Sequence, residues 1–433
     1  MNEIMIGIIG ILVLVALFLT RIELAIAMGI IGVVGFSLVV SLKAALTLVA
    51  QDLFEVFSSY SFTVIPLFIF MGQIAFNAGI AKKLYDAGYK FIGHIPGGLA
   101  MATVVGATAF KAVCGSAPAT AATFASVAVP EMDRYGYSKK LSTGIVAVVG
   151  TLGVLMPPSG ILIIFGIITE QSIGKLFLAG IFPGLIAALF FMFIIYGWCR
   201  INPSLGPKGE RSTWKQRMAS LPPVAWVVII FLVVIGGLMK GFFTPTEAGS
   251  VGAFAVLLLS VAKRDIDFKG FTKAVQESIR TACMVLTLIA GSTILGHFLA
   301  VTKIPIIAAE WVGQLPLHRT IIMILICCIY QLGGSFIDDI AFMILATPIF
   351  YPIAIKLGYD PIWFGMMVAV TLMIGVVIPP VAMNVFVVKN ITKVPLNVIY
   401  SGVYPFLVSL FLVYILLFLF PQIATFLPHR LMG

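Results

Sequence analysis

The chain has 433 residues, of which 61% are hydrophobic and 10% are charged. This balance excludes a soluble globular protein and predicts an integral membrane protein. The formal net charge of +10 does not indicate nucleic-acid binding, because the basic residues lie mostly in segments between the apolar runs.

Apolar runs follow one another along the chain, several of them close to the roughly 20 residues that a helix needs to cross a bilayer. They lie near residues 4–20, 23–42, 60–80, 161–199, 224–241, 245–262, 281–300, 320–331 and 400–420. We predict about 10 to 12 helical crossings or partial crossings. The alternation typical of a transmembrane barrel is missing, so the predicted fold class is an all-α polytopic membrane protein.

Two segments between the runs, at residues 200–217 and 263–280, are rich in Lys and Arg. Positive charge collects in cytoplasmic loops, so both segments are predicted to be cytoplasmic loops. The two predicted spans between them agree with this assignment, because two crossings return the chain to the same side.

The two halves of the sequence share a plan. A constant offset of 222 positions relates Tyr137 to Tyr359, Gly153 to Gly375, Pro157 to Pro379, and Pro183 to Pro405. Upstream, Gly115-Ser116 matches Gly334-Ser335 at an offset of 219. Such an offset indicates an internal repeat, and repeats with interrupted apolar segments at matching positions are typical of secondary transporters with inverted topology.

This repeat divides the chain into five predicted parts. Residues 1–59 form N-terminal scaffold helices, and residues 60–200 form a first repeat with a hairpin at about 112–130 and a broken helix at about 141–160. Residues 201–280 hold the basic loops and connecting scaffold helices. Residues 281–421 form a second repeat with a hairpin at about 331–348 and a broken helix at about 364–384, and residues 422–433 form a tail.

The Pro-Pro pairs indicate where each half carries chemistry. Proline lacks an N–H and clashes with the preceding turn, so Pro157 and Pro379 should break their helices and free carbonyl oxygens. Sodium prefers such oxygens together with hydroxyl groups. A simple kink with tight helix packing is the alternative, but the duplication favours an ion or substrate site. Helix N-termini at the hairpin tips favour an anion, so the expected substrate is a carboxylate.

Other polar residues have two interpretations each. Asp338 and Asp339 organise a substrate site with a basic partner, or lie at a solvated hairpin tip. Lys303 binds a carboxylate, or only extends to the membrane interface. Asn384 is a polar ligand or a helix cap. A protease dyad of Asp338 and Asp339 is disfavoured, because adjacent helical residues point about 100° apart.

Four segments together resemble the large membrane subunit of tripartite ATP-independent periplasmic (TRAP) transporters. They are "CGSAPATAA", "GVLMPPS", "GFFTPTEAGSVGA" and "GVVIPPVAMN". The resemblance implies the ion transporter superfamily fold, with two inverted repeats, two re-entrant hairpins and a transport domain that moves like an elevator. It also implies a sodium-driven importer in the bacterial inner membrane that is not an enzyme. The expected partners are a separate small membrane subunit, a soluble periplasmic binding protein and an organic-acid substrate.

The resemblance also implies a set of site residues. Sodium would bind near Ser116, Gly150, Gly153 and Pro157 in the first half, and near Gly334, Ser335, Thr371, Gly375 and Pro379 in the second. The substrate would lie near Ser159, Lys303, Asp338, Asp339 and Asn384. Sialic acid transporters of the family use an arginine near the second hairpin, and this chain has Lys303 in that vicinity, so smaller carboxylates such as dicarboxylates are favoured. Neither a cofactor nor a metal other than sodium is predicted, because the five cysteines are not spaced as ligands. A stand-alone sodium/dicarboxylate symporter is the alternative function.

Overall fold

Long apolar stretches punctuated by Gly, Pro and capping residues give a protein built of helices. The computed structural model describes residues 3–18, 20, 22–314, 316–380 and 382–432. Within this part every regular element is a helix, and eight of the helices are long and apolar enough to cross a membrane. The all-α prediction is confirmed.

The helices of the first half begin with the N-terminal group: α1 (Glu3–Phe18), α2 (Leu24–Val39), α3 (Leu42–Ser58), α4 (Val64–Asn77) and α5 (Ile80–Ile92). A helical hairpin follows, made of α6 (Gly98–Lys111) and α7 (Ala117–Arg134). The chain then forms α8 (Lys139–Thr151), a 3-10 turn (Leu152–Val154), α9 (Gly160–Ile168) and α10 (Ile173–Ile201).

The second half of the chain is also helical throughout its described residues. Its first helices are α11 (Trp214–Ala219), α12 (Leu221–Met239), α13 (Pro245–Ala262), α14 (Phe268–Val301) and α15 (Ile304–Gln314). The second hairpin consists of α16 (Arg319–Phe336) and α17 (Asp339–Lys356). The last helices are α18 (Pro361–Gly375), α19 (Met383–Thr392), α20 (Leu396–Leu419) and α21 (Gln422–Met432).

The core is centred on the two helices that precede the Pro-Pro pairs. Every residue of α8 from Leu141 to Thr151 is buried, and so is every residue of α18 from Ile362 to Gly375. Helices buried on all sides are surrounded by protein. The first break, at Pro157, is buried as well, whereas the second break reaches the surface at Pro379.

Helices of one half pack on helices of the other. The helix α2 packs along α14, and α4 packs along α13. The second helix of each hairpin also crosses to the opposite half, since α7 packs against α19 and α17 packs against α9. Each hairpin thus lies beside the broken helix of the other half as well as beside its own.

Three predicted boundaries differ from the structure. The segment predicted as a basic loop at 263–280 is mostly the start of α14, because the Asp267 side chain accepts the Gly270 N–H at 2.7 Å and begins the helix there. The apolar run at 161–199 is two helices, and Ser172 caps the second. The predicted tail contains α21, which packs on α10.

Candidate functional site

The two hairpin tips and the two breaks meet around one cavity of about 400 Å³. The hairpins and breaks contribute residues 114–119 of the first hairpin, residues 338–340 of the second hairpin, Met383 and Val387 of α19, and, around the first break, Gly153, Val154, Gly160, Ile161, Ile163 and Ile164. The helices α4 and α14 contribute an apolar wall, in which Gln73 and Thr281 are the polar lining residues. The lining is thus mostly apolar, and the hairpins and breaks add the polar side chains of Ser116, Asp338 and Asp339.

Four helices begin at the edge of this cavity. Their first residues all line it: Ala117 of α7, Gly160 of α9, Asp339 of α17 and Met383 of α19. The first N–H groups of a helix have no partner inside the helix, and the N-terminus carries a positive partial charge. Four such ends at one cavity favour an anion.

The four N-termini are capped differently. Neutral serines cap α7 and α9, with Ser116 Oγ accepting the Ala119 N–H at 3.3 Å and Ser159 Oγ accepting the Leu162 N–H at 3.4 Å. The N-terminus of α19 has no side-chain cap. The N-terminus of α17 carries carboxylates instead. The ends of α7, α9 and α19 are thus the ones that an external anion would find without a fixed negative charge of their own.

Asp338 and Asp339 lie together at the tip of the second hairpin, and both line the cavity. Asp338 Oδ1 accepts the Ala341 N–H at 3.1 Å, and Asp339 Oδ1 accepts the Ile340 N–H at 3.0 Å. Asp339 is buried, with 5% of its surface exposed. The pair therefore caps α17 and places negative charge on one side of the cavity.

A buried lysine lies behind the tip of the first hairpin. Lys111 has no exposed surface, and its Nζ donates to the carbonyl oxygen of Ser116 at 2.8 Å. Its ammonium fills the space where a side chain at Gly153 would begin. Lys111 thus connects the tip of the first hairpin with the first break.

The predicted second-half ion residues lie around one close helix contact. A Cβ added at Gly375 would lie 2.9 Å from the carbonyl carbon of Gly334, so α16 and α18 touch backbone to backbone there. The hydroxyl groups nearby are used within their own helices, with Ser335 Oγ donating to Gln331 O at 2.7 Å and Thr371 Oγ1 donating to Val368 O at 2.8 Å. Pro379, which follows the contact, is exposed, whereas Pro157 in the first half is buried.

Asn384 joins the two halves. It has no exposed surface, and its Nδ2 donates to the Ala147 carbonyl oxygen of α8 at 3.2 Å. Gly150 leaves room for this amide, since a Cβ there would lie 2.9 Å from Asn384 Nδ2. The Oδ1 atom of Asn384 is buried without a hydrogen-bond partner among the described residues.

Ser159 bridges the first break, because its Oγ donates to Val154 O at 2.7 Å.

Lys303, a predicted substrate residue, does not line the cavity, and neither do the predicted ion residues Pro157, Gly334, Ser335, Thr371, Gly375 and Pro379. Lys303 follows the last turn of α14 with a φ of 58°, and its side chain is exposed. Of the other predicted residues, Ser116, Gly153, Asp338 and Asp339 line the cavity directly. Gly150, Ser159 and Asn384 lie in the breaks and helix starts beside it.

The family model for the DctM component of tripartite ATP-independent periplasmic transporters matches residues 11–423. The chain belongs to this family. It is 34% identical over 383 residues to the C4-dicarboxylate TRAP transporter large permease protein DctM of Pseudomonas aeruginosa, covering 88% of this chain and 89% of that protein. It is 30% identical over 410 residues to the sialic acid TRAP transporter large permease protein SiaM of Vibrio cholerae, covering 92% of this chain and 95% of that protein.

The fold of this DctM-family permease is similar to that of the YdaH transporter of Alcanivorax borkumensis. The TM-score is 0.62 at 12% sequence identity, over 88% of this chain and 89% of that one. Family membership makes the chain a transporter subunit and not an enzyme, and a multi-pass protein of the inner membrane. The resemblance found in the sequence motifs is confirmed.

Lys111 of this permease was not among the residues predicted from the sequence, although a basic partner for the aspartates was expected. The signal was a single lysine inside the small-residue stretch "GATAFKAVCGS", close to the Gly115-Ser116 tip. An ionisable residue at membrane depth is a functional candidate by default. Cys114, which lines the cavity beside this tip, was also not singled out.

Proposed function

We propose that this permease imports a small organic carboxylate and that the carboxylate binds at the N-termini of α7, α9 and α19. The observation that carries the proposal is that these helices begin at one cavity with neutral caps or none. Unpaired N–H groups and the positive helix ends supply an anion site without a fixed cation. The volume of about 400 Å³ lies within the range of small-molecule sites.

The substrate class rests on relatives and on the cavity. The Pseudomonas relative is named for four-carbon dicarboxylates and the Vibrio relative for sialic acid. The sequence argument for a smaller acid depended on Lys303, which lies outside the cavity, and that argument no longer applies. We propose a four-carbon dicarboxylate because the named relative with the higher of these two identities carries that description.

We further propose that the two halves are inverted repeats that move as an elevator. The exchange of partners between halves supports this, because α2 and α4 of the first half pack on α14 and α13 of the second. The cavity lies between the hairpin-and-break side and an apolar wall of α4 and α14. An apolar wall offers few hydrogen bonds that would have to break if the hairpins slid along it.

Sodium is the proposed coupling ion. Carbonyl oxygens freed at helix breaks are suitable ligands for a hard cation, and both breaks lie beside the cavity. In the second half, Gly334 and Gly375 bring two backbones together near Ser335, Thr371 and the break before Pro379. In the first half, the predicted residues Ser116 and Gly153 contact the ammonium of Lys111. The buried Oδ1 of Asn384 adds an unpaired oxygen between the halves.

The proposed partners are a small membrane subunit and a periplasmic binding protein, as expected for a component of a tripartite transporter.

The test of the proposed function is uptake of labelled succinate, a four-carbon dicarboxylate, into proteoliposomes that hold the permease and its small subunit. Uptake should require an inward sodium gradient and the soluble binding protein. Uptake driven by a proton gradient without sodium would refute sodium coupling, and uptake without the binding protein would refute the tripartite mechanism.

A further inference from the structure

The buried ammonium of Lys111 has a specific acceptor. It lies at the end of α6 with no exposed surface, and Nζ donates to the Ser116 carbonyl oxygen at 2.8 Å. An ammonium removed from water is costly unless polar groups surround it. A lysine in this position therefore needs a role that compensates the cost, and the carbonyl oxygen at the hairpin tip shows where its charge is used.

The acceptor belongs to the first-half ion residues. Ser116 and Gly153 are both among the residues predicted to surround sodium, and the Lys111 ammonium contacts both positions. A sodium ion and an ammonium group seek the same partners, since both are compact cations that bind carbonyl oxygens. Glycine at 153 leaves the space that the ammonium occupies, because a Cβ there would overlap Nζ.

The matching position in the second half carries no cation. At the offset of 219 that relates the two Gly-Ser tips, Lys111 corresponds to Tyr330. Tyr330 is buried and neutral, and its hydroxyl is 3.2 Å from Thr347 Oγ1. The two halves thus share the tip and the break but differ in charge at this position.

We propose that the ammonium of Lys111 takes the place of a coupling cation in the first half, so that only the second half binds sodium from solution. The inference rests on the proposed sodium coupling. It assigns different roles to two cations. The ammonium of Lys111 is part of the chain and moves with the hairpins, whereas the sodium ion of the second half is exchanged with solution.

The test counts sodium ions bound by the purified full-length permease with its small subunit. Binding of radioactive sodium at equilibrium gives the number of sites, with choline replacing sodium to hold the ionic strength. Lys111→Ala removes the ammonium and leaves room, so it should bind one more sodium ion than the wild type. Lys111→Arg keeps a cation and should match the wild type. Lys303→Ala removes an exposed lysine outside the cavity and is the matched control.

An unchanged number of sites in a folded Lys111→Ala variant would overturn the proposal and make Lys111 a structural residue. A reduced number would also overturn it, because Lys111 would then support a sodium site instead of replacing one. Reduced succinate affinity with an unchanged sodium count would assign Lys111 to the substrate.

A second measurement does not depend on the folding of Lys111 variants. In the chain that retains Lys111, Gly375→Ala should remove all specific sodium binding, because only the second half takes sodium. Remaining binding at the wild-type first half would contradict the inference. The proposed function is tested separately, because it fails if wild-type uptake does not depend on sodium. The number of sodium ions bound by the wild type and by Lys111→Ala still tests the role of Lys111 in that case.

Discussion

A negative charge at the N-terminus of α7 is the most direct perturbation of the proposed carboxylate site. Ser116 lines the cavity and caps α7 through the Ala119 N–H. Ser116→Asp keeps the cap, since Asp and Ser serve equally well at this position, but adds a charge beside the substrate. Ser116→Asn is the matched control, because Asn caps the helix and carries no charge.

The size of the effect follows from the geometry. A substrate carboxylate bonded to the first-turn N–H groups would lie about 5 Å from the introduced charge, and two like charges at that distance repel by about 3 kcal/mol at an effective dielectric constant of about 20. The Lys111 ammonium, bonded to the Ser116 carbonyl oxygen, offsets part of this repulsion. We therefore expect succinate affinity to fall by about 10- to 100-fold.

The assay is equilibrium binding of labelled succinate to the purified permease with its small subunit. The melting temperatures of both variants are measured alongside, to show that each is folded. Ser116→Asn should bind within about threefold of the wild type, since a neutral cap is retained. Equal succinate affinity of folded Ser116→Asp and Ser116→Asn would refute the placement of the carboxylate at α7.

Three further predictions concern packing, capping and Lys303. Gly375→Ala should lower the free energy of unfolding by about 1–3 kcal/mol, because the added Cβ would meet backbone atoms of α16. Its control is Gly296→Ala, which should not lower the free energy of unfolding, because open space surrounds Gly296. Thr244→Ala should cost about 1 kcal/mol, since Thr244 and Glu247 form a capping box at the start of α13. Lys303→Ala should leave the succinate concentration for half-maximal uptake unchanged, because Lys303 is exposed away from the cavity.

Each of these has a simple measurement and a contradicting result. Melting temperatures in detergent compare Gly375→Ala with Gly296→Ala, and equal values would show that α16 and α18 separate more easily than the contact suggests. Melting of Thr244→Ala is compared with Thr47→Ala, an exposed threonine inside α3, and equal losses would contradict a specific capping role. Weaker succinate uptake in Lys303→Ala would return Lys303 to the substrate site.

Much of the site's framework could be predicted from sequence because it depends on local rules. Proline ends helices, glycine permits close backbone contact, and serine starts helices. The first Gly-Ser pair and the Pro-Pro breaks therefore predicted where the chain interrupts its helices, and Ser116 and Ser159 both cap helices beside the cavity. Gly334 and Ser335, predicted at the second tip, lie instead in the last turn of α16. The basic segment at 263–280 was harder, because an amphipathic helix joined to an apolar one has no break between them.

The roles of Lys303 and Lys111 could not be predicted, because they depend on which distant segments of the chain lie close together in the fold. Lys303 was considered because it precedes the second hairpin in sequence, but the 18-residue helix α16, about 27 Å long, separates the start of that hairpin from its tip. Lys111 lies close to its tip in sequence, yet its ammonium lies in space left open by Gly153, which follows α8. A sequence pattern does not contain such contacts between distant segments.

A structure of the permease with its small subunit, determined with saturating succinate and sodium, tests the central claim most directly. We predict a succinate carboxylate within hydrogen-bonding distance of first-turn N–H groups of α7, α9 or α19, on the side of the cavity away from Asp338 and Asp339. Succinate bound elsewhere in the protein, with these N-termini facing only water, would contradict the account.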